Sequence, residues 1–553
     1  MRPSRPSAPV LPSFLFVLST LLSLPSHAQP NPPPPAPPSP NPWAIVGNDA
    51  GYDMAPETTP AVINAVVASL PLKLPPGPVT PTWDSLRAHY QVPAWFVGAK
   101  FGLMLHWGLY AVPARHNEWY EKHLYGNAGI RAWHIEKFGP LEKFGYKDFI
   151  PLFLAEKFDP VAWATLFAAS GARYVIPSAQ HHDNFALWDS AVTPFNAQRL
   201  GPQRDLIGEL AKAIRARGLK FGVSNHGIEN FTFINPSPDV AAALQASRAD
   251  LYHPAWAAFY NVADRSDAAL TRFLHDWFAR NVELIEKYRP DLLWFDNGID
   301  LRTLDPLKLH LAAYDYNRAA AWKQAVSIST KKAAFAPSGL NDRQIGSIVD
   351  FEKVGARSPS GIRPGVWQVD DAIGSTWGYT DGMRISSTAT ILARLIETVS
   401  KNGTYLLNLS PKADGTIPDE QQTVLRDLGA WLRVNGEAIY DTHAWRTFGS
   451  GGARGDTSPP IRYTVRGDQL YAIVLGPWPT TPVTLAALAT EKITRVELLG
   501  SPAPLAFTQS AIGLTVTLPA TAPAAHAHAY VFRLSGLTLP PAPTVTDGNP
   551  TSR

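Results

Sequence analysis

The sequence contains no cysteine in 553 residues, and only 17% of its residues are charged. The absence of cysteine excludes disulfide bonds, thiol nucleophiles and cysteine-ligated metals. The formal net charge of +3 at pH 7 is small for this length, so no nucleic-acid partner is expected. No Gly-x-Gly-x-x-Gly follows a predicted strand, and the usual dinucleotide-binding signature is therefore lacking as well.

Long apolar runs are also lacking, since none after the N-terminus approaches the roughly 20 residues that cross a bilayer. Residues 1–28 have the pattern of a signal peptide, in which basic residues precede an apolar run and Ser26-His-Ala28 offers a small-x-small cleavage site. We expect cleavage after Ala28, export to a bacterial periplasm or exterior, and no membrane contact afterwards. The proline-rich residues 29–42 predict an extended linker.

Residues 84–440 repeat a pattern of amphipathic helix, chain breaker and short apolar strand. Asp159-Pro160 begins one helix, Gly171 ends it, and the strand Arg173-Tyr-Val-Ile follows. This pattern predicts an α/β fold with a parallel sheet, and the length of the stretch favours a (β/α) barrel.

The pattern changes after residue 440. Residues 441–538 contain short strands that predict a β-sandwich, with Arg466-Gly-Asp-Gln as a hairpin turn. We expect residues 43–83 to pack on the barrel and the Pro/Thr-rich tail, residues 539–553, to be disordered.

Charged residues stand where several predicted strands end. His106 closes Phe101-Gly-Leu-Met-Leu, His181-His-Asp follows Tyr174-Val-Ile-Pro-Ser-Ala-Gln, and Asp296 closes Leu292-Leu-Trp-Phe. Because the carboxyl ends of barrel strands converge on one pocket, these residues predict an active site. A structural helix-capping role for Asp296 stays open at this point.

Two further features bear on what the pocket binds. Neighbouring strand residues point to opposite faces, so His181 and His182 favour hydrogen bonding to a polyhydroxylated ligand over joint metal binding. Glu118-Trp-Tyr places a carboxylate beside two aromatic rings, which is a common sugar-binding arrangement. An exposed loop position is the alternative for Glu118.

Several of these segments resemble the retaining α-L-fucosidases of glycoside hydrolase family 29. Lys100-Phe-Gly-Leu-Met-Leu-His-Trp-Gly and Asn117-Glu-Trp-Tyr resemble the opening of that family, and Leu292-Leu-Trp-Phe-Asp resembles its nucleophile strand. Gln180-His-His-Asp-Asn-Phe resembles the family segment Lys-His-His-Asp-Gly-Phe. Trp377-Gly-Tyr and Ser400-Lys-Asn-Gly-Thr-Tyr-Leu-Leu-Asn-Leu-Ser-Pro resemble signatures near the end of the family's barrel.

The resemblance implies a catalytic barrel followed by a β-sandwich, no cofactor, no metal, and a fucosylated oligosaccharide or glycoconjugate as substrate. It implies that Asp296 is the nucleophile. It further implies a set of sugar-contacting residues: His106, Glu118, Trp119, His181, His182, Arg343 and Trp377. The chain has Ser224-Asn-His where the family has Tyr-Tyr-Ser, so His226 is expected to replace a tyrosine contact.

The general acid/base is the weakest part of the resemblance. Glu352 in Asp350-Phe-Glu is the nearest carboxylate to the family position, but it lies earlier, and Gly355 stands where some members have the glutamate. Gln368 occupies another candidate position, while Asp370 and Asp371 are fallbacks. We predict Glu352, with a structural ion pair as the alternative.

The function expected from these residues is exo-acting hydrolysis of terminal α-L-fucosyl linkages by retaining double displacement. Three alternatives stay open at this stage. They are a catalytically impaired, lectin-like fucose binder, a glycosidase with relaxed galactoside specificity, and a metal-dependent hydrolase that uses the histidine pair.

Overall fold

The computed structural model describes residues 59–332, 334–337, 344–451, 459–501, 503–522 and 527–541. The predicted signal peptide, the linker 29–42, most of the tail 539–553 and Arg343 lie outside these ranges. Within them, no helix combines the length and apolar character needed to span a bilayer.

Eight parallel strands form a closed barrel in sequence order, with the first strand also paired to the eighth. The strands are β1 Phe101–Leu105, β2 Tyr174–Gln180, β3 Lys220–Asn225, β4 Leu292–Phe295, β5 Ser327–Lys331, β6 Ile348–Glu352, β7 Trp367–Ala372 and β8 Gly403–Leu409. The predicted (β/α) barrel is therefore confirmed.

Fourteen α-helices of the described residues accompany the strands. They are α1 Pro60–Ala68, α2 Trp83–His89, α3 Ala94–Ala99, α4 Tyr120–Gly126, α5 Ala128–Phe138, α6 Pro160–Ala169, α7 Leu206–Ala216, α8 Asn230–Phe233, α9 Pro238–Ala246, α10 Ala257–Tyr260, α11 Asp267–Tyr288, α12 Asp305–Trp322, α13 Thr388–Ser400 and α14 Asp419–Asn435. The predicted cap of α6 is confirmed, because the Asp159 carboxylate accepts hydrogen bonds from the Val161 and Ala162 amides at 2.9 and 3.0 Å.

The barrel interior is packed with both apolar and polar side chains. The ring of Tyr174 on β2 packs against Gly102 on β1. A Cβ at position 102 would lie 2.2 Å from that ring, so only glycine fits there. The Tyr174 hydroxyl donates to the Gln368 side chain at 2.6 Å, and Gln368 donates in turn to Asp350 at 2.5 Å. Polar groups inside the barrel are thus paired with one another.

The first described segment packs against the outside of the barrel. In α1, Ile63 and Val66 are fully buried, and the ring of His275 on α11 lies 3.0 Å from the Val66 carbonyl oxygen. Thr59 caps this helix through its side chain, and Pro60 occupies its first position.

After the barrel, two antiparallel sheets pack face to face around a second apolar core. Their strands are β9 His443–Ser450, β10 Ile461–Arg466, β11 Gln469–Leu475, β12 Val483–Leu485, β13 Arg495–Leu498, β14 Phe507–Ser510, β15 Gly513–Val516 and β16 Ala529–Ser535. The predicted hairpin is confirmed, since Arg466 pairs with Gln469 across a turn in which Gly467 has φ 59°.

The sandwich also packs on the barrel. Along β11, Leu470, Ala472 and Val474 face the sandwich core, whereas Tyr471 and Ile473 join the main core. The Trp431 indole of α14 donates to the Ala529 carbonyl oxygen at 2.9 Å. Both faces of the larger sheet are therefore covered.

Candidate active site

The carboxyl ends of the barrel strands bring most of the predicted site residues into one pocket. His106 follows β1, His181 and His182 follow β2, His226 follows β3, Asp296 follows β4, Glu352 ends β6 and Trp377 follows β7. The four histidines and Asp296 are buried. The site therefore forms where a barrel fold places it.

Asp296 lies at the centre of this pocket. Its Oδ2 is 3.0 Å from His226 Nδ1 and 3.6 Å from His182 Nε2, and its Oδ1 is 3.1 Å from Lys331 Nζ. Burial raises the pKa of Asp296, but Lys331 and the two histidines offset this cost and hold the pKa well below its usual range. The carboxylate is thus ionised and oriented, and it does not cap a helix.

Lys331 is a site residue that the sequence analysis missed. It ends β5, and its ammonium also lies 3.3 Å from Asp370 Oδ2 and 3.6 Å from Glu352 Oε2. The ring of Trp377 lies 5.3 Å from the same ammonium. The strand-end rule that identified Asp296 could have identified Lys331, but Ser327-Ile-Ser-Thr-Lys is too polar to be recognised as a buried strand.

Glu352 lies across Lys331 from Asp296. Lys331 approaches both carboxylates, so their nearest oxygens are within about 7 Å of each other, a separation compatible with a retaining pair. Glu352 also accepts a hydrogen bond from Arg357 Nη1 at 3.1 Å, and its side chain is 20% exposed, which leaves it open to solvent at the pocket mouth.

The two fallback carboxylates have different surroundings. Asp370 is 1% exposed, lies beneath Lys331, and has a pKa well above its usual range, chiefly because of burial and despite Lys331. Asp371 turns outward, where its Oδ2 accepts hydrogen bonds from Arg394 at 3.0 Å and Tyr405 at 3.2 Å. Gln368 is committed to the barrel interior, as described above.

The histidines form a closely packed group of rings. The His106 ring centroid lies 5.4 Å from that of His181 and 5.1 Å from that of His226. Burial is the largest cause that lowers the pKa of His106 and His181 well below the usual value, and it lowers that of His182 to about 3. A neutral imidazole can both donate and accept, which suits it to sugar hydroxyls.

Two groups of side chains in the pocket have the spacing of metal ligands. One contains His106, His181 and His226, and the other contains His182, His226 and Asp296. The neighbours His181 and His182 fall in different groups, as expected for adjacent residues that point in different directions.

Glu118 and the aromatic residues form another part of the wall. Glu118 Oε2 accepts hydrogen bonds from the backbone amides of Trp377 and Gly378, both at 3.1 Å, so it orders the Trp377 segment. The Trp377 ring stands 5.4 Å from that of His106, and the Trp119 ring stands 6.0 Å from that of His182. Glu118 is 7% exposed, which excludes the alternative of an exposed loop residue.

Glu229 is a second buried acid that sequence reasoning did not identify. Its Oε2 lies 3.1 Å from His182 Nδ1, its side chain is 3% exposed, and burial raises its pKa well above the usual range. It follows β3 by four residues and packs against Gly298, where a Cβ would lie 2.6 Å from its Cγ. Asp183, by contrast, is held away from the pocket by the Tyr146 hydroxyl at 2.8 Å.

Comparison with known proteins identifies the family to which this arrangement belongs. A family model described as α-L-fucosidase matches residues 68–437, and a second, described as the α-L-fucosidase C-terminal domain, matches residues 455–535. The chain belongs to the α-L-fucosidase family. It is accordingly a glycoside hydrolase, as the resemblance implied.

Individual fucosidases are similar to the chain over most of its length. The tissue α-L-fucosidase of Homo sapiens is 31% identical over 483 residues, which cover 84% of this chain and 93% of that protein. The plasma α-L-fucosidase of Homo sapiens is 33% identical over 458 residues, covering 79% and 88%.

Solved fucosidase structures share the fold. The Thermotoga maritima α-fucosidase in complex with a mechanism-based inhibitor has a TM-score of 0.66 and 30% identity, and the match covers 83% of this chain and all of that one. The same enzyme in complex with fucose matches with a TM-score of 0.65.

Proposed function

We propose that the protein is an exo-acting α-L-fucosidase that releases terminal α-L-fucosyl residues with retention of configuration. The observation that carries the mechanism is the ionised, buried Asp296, which Lys331 and His226 hold in a fixed orientation. The nearest oxygens of Glu352 and Asp296 are at most about 7 Å apart, a bound that includes the roughly 5–5.5 Å of a retaining pair.

The reaction would proceed in two steps. In the first, an Asp296 oxygen attacks the anomeric carbon, the glycosidic C–O bond breaks, and Glu352 transfers its proton to the departing oxygen. In the second, the Glu352 carboxylate takes a proton from water, the water oxygen attacks the anomeric carbon, and Asp296 leaves as a carboxylate. The two steps return both groups to their starting protonation states.

The surrounding residues would bind the sugar. Neutral His106, His181 and His182 would hydrogen bond to its hydroxyls, and the Trp377 ring would cover an apolar edge. Hydrogen bonds that strengthen as positive charge develops on the ring lower the barrier rather than merely tightening binding. Arg343, which lies outside the described residues, stays a predicted contact.

The activity is tested with an aryl α-L-fucoside beside the matching α- and β-galactosides. We expect aryl alcohol release from the fucoside only, with α-L-fucose as the first product detected by proton NMR. An activated leaving group needs little acid assistance, so this assay reports on Asp296 independently of Glu352. Binding of fucose without hydrolysis of any substrate would support the lectin-like alternative, and galactoside hydrolysis would support relaxed specificity.

The role of Asp296 is tested by Asp296→Asn. The amide keeps the shape but cannot act as an anionic nucleophile, so we expect kcat to fall by about a thousandfold or more with an unchanged fold. Asp239→Asn, an exposed position on α9, is the matched control and should retain full activity. Wild-type turnover by Asp296→Asn would refute the nucleophile assignment.

Export is a separate part of the proposal and rests on the N-terminal sequence alone. Arg2, Arg5 and the following apolar run support a cleaved signal, with Ala28 as the last residue removed. N-terminal sequencing of protein recovered from the periplasm or medium of a bacterial host should begin at Gln29. Retention of the uncleaved chain in the cytoplasm would contradict this proposal.

A further inference from the structure

Arg280 lies directly behind the segment that carries the catalytic-pocket histidines. We name residues 180–184 the histidine loop. Arg280 comes from α11, is 6% exposed, and donates from Nη1 to the Gln180 side-chain oxygen at 3.0 Å and to the Asn184 side-chain oxygen. Gln180 Nε2 donates to the same Asn184 oxygen at 3.2 Å. One guanidinium therefore joins the first and last residues of the histidine loop.

The histidine loop has a backbone shape that requires support. The pairing of β2 with β3 shifts register between Ser178 and Gln180, at the point where the strand ends. At the other end Asn184 has φ 64°, a left-handed conformation that is unfavourable for most side chains. His181 and His182 lie between these two irregular points, so their ring positions depend on how both ends are held.

The space behind the histidine loop is not filled by packing. A cavity of about 310 Å³ borders Gln180, Asn184 and Arg280, and Trp277 forms part of its lining. Gly227 also borders it, and a Cβ there would lie 2.2 Å from Gln180 Nε2. On this side the loop is held by hydrogen bonds: Arg280 binds both of its ends, and Asn184 Nδ2 donates to the Ala258 and Phe259 carbonyl oxygens at 3.0 and 2.9 Å.

Arg280 is costly to the fold. It forms no ion pair with any carboxylate that the structure describes, and its Nε has no hydrogen-bond partner within the same ranges. Burial lowers its pKa to about 10, which still leaves the side chain charged at neutral pH. Burying this cation costs folding free energy, which the hydrogen bonds to Gln180 and Asn184 and the nearby carboxylates of Asp276 and Glu283 offset. Its structural consequence is that it ties the two ends of the histidine loop together.

We propose that Arg280 is a positioning residue of the fucosidase site, which fixes the histidine loop so that His181 and His182 meet the sugar hydroxyls. This inference rests on the proposed function. The chain has Gln180 and Asn184 where the resembling family segment has lysine and glycine, and in this chain the cation that reaches the loop comes from α11. The polar side chains of Gln180 and Asn184 are the acceptors that this arrangement needs.

The test compares Arg280→Met with Arg280→Lys and with the control Arg272→Met. Arg272 lines the same cavity from the same helix, but it is 66% exposed and pairs with Asp264 at 3.2 Å. For Arg280→Met we expect a raised KM and a fall in kcat/KM for an aryl α-L-fucoside of about 10- to 100-fold, which is larger than any accompanying fall in Tm explains. Arg280→Lys keeps the positive charge but lacks the planar guanidinium that reaches both acceptors. Its kcat/KM should therefore lie between those of Arg280→Met and wild type.

Chemical rescue gives a readout that a purely structural role would not produce. Arg280→Gly opens a space continuous with the cavity, and guanidinium at low millimolar concentration should restore part of kcat/KM, while sodium chloride should not. Activity equal to wild type in Arg280→Met, or activity lost only in proportion to a fall in Tm, would overturn the proposal. If wild type itself fails to hydrolyse the fucoside, the proposed function fails, and calorimetric fucose binding by wild type and Arg280→Met then decides the positioning role.

Discussion

At the scale of single residues, Lys331 determines the charge state of the pocket. Its ammonium approaches Asp296, Glu352 and Asp370 at 3.1, 3.6 and 3.3 Å, so one cation is shared by three carboxyl groups. The groups respond differently, because the pKa of Asp296 is held low while that of Asp370 is raised by burial. Of these two, Asp296 is thereby favoured as an anion and Asp370 is not.

This arrangement predicts the pH dependence of Lys331→Met. Without the ammonium, the pKa of Asp296 should rise, and the nucleophile should become protonated at a higher pH than in wild type. We expect the acidic limb of kcat/KM for an aryl α-L-fucoside to move to higher pH, so activity falls more at pH 5 than at pH 7. Lys331→Arg should keep most of the wild-type profile, and Lys323→Met, an exposed control, should not change it. A proportional loss at every pH would show that Lys331 does not set this pKa.

Glu352 is the second residue whose role can be separated kinetically. Glu352→Gln should slow hydrolysis of an alkyl fucoside far more than that of an aryl fucoside, because only the poor leaving group needs a proton. Azide should then accelerate turnover and give α-fucosyl azide, since it attacks a covalent intermediate without needing a general base. Asp370→Asn and Asp371→Asn are tested in parallel. If azide instead restores the turnover of Asp370→Asn and not that of Glu352→Gln, the general acid/base is Asp370.

The residues recovered from sequence share one property. Asp296 and His106 each end a strand whose other positions are apolar, so hydrophobic pattern and strand end coincide. Lys331 and Glu229 do not stand at the end of an apolar strand. Lys331 ends a polar strand, and Glu229 comes four residues after β3. Their participation depends on tertiary contacts, which no local pattern encodes.

At the scale of secondary-structure elements, prediction succeeded where the signal is local in the sequence. Helix α6 begins where Asp159 predicted, because a cap is a local interaction between a side chain and nearby amides. Strand β5 was not predicted, because its buried positions include the polar residues Ser327, Ser329 and Thr330 rather than apolar ones.

Helix α12 carries a buried acid that makes stability depend on pH. Asp315 is 2% exposed, its Oδ2 has no hydrogen-bond partner among the described residues, and burial raises its pKa to about 8. The pKa of this acid is higher in the folded state than in the unfolded state, where it is near 4. Below pH 4 the acid is protonated in both states, so it does not reduce the free energy of unfolding. Stability is then lost as pH rises toward 8, by up to about 1.4 kcal/mol per unit.

Asp315→Asn should remove this dependence. We expect the Tm of the variant to fall less than that of wild type between pH 5 and pH 8, measured by calorimetry in matched buffers. The exposed Asp239→Asn controls for the loss of one negative charge. Parallel Tm curves for wild type and Asp315→Asn would contradict the assignment of this acid as the source.

At the scale of the whole molecule, the sandwich is predicted to be part of the barrel's packing rather than an independent sugar-binding module. Strand β11 is apolar at nearly every position because its two faces enter two different cores, with Tyr471 and Ile473 toward the barrel. Thr464 and Trp431 add hydrogen bonds between the two parts, to the Ala438 and Ala529 carbonyl oxygens at 2.7 and 2.9 Å. The strand pattern of the sequence predicted the sandwich. The second apolar face of β11 can be interpreted only when the barrel surface that it covers is known.

Two variants test this dependence. Ending the chain after Tyr440 should expose the apolar surface that Ile473 covers, and we expect an aggregated or strongly destabilised barrel that does not hydrolyse an aryl α-L-fucoside. Ile473→Ala in the full chain should cost about 2–5 kcal/mol, whereas Ile512→Ala, at a position 72% exposed, should cost less than about 0.5 kcal/mol. A soluble, fully active barrel without residues 441–553, which loses affinity only for extended glycans, would instead assign the sandwich a binding role.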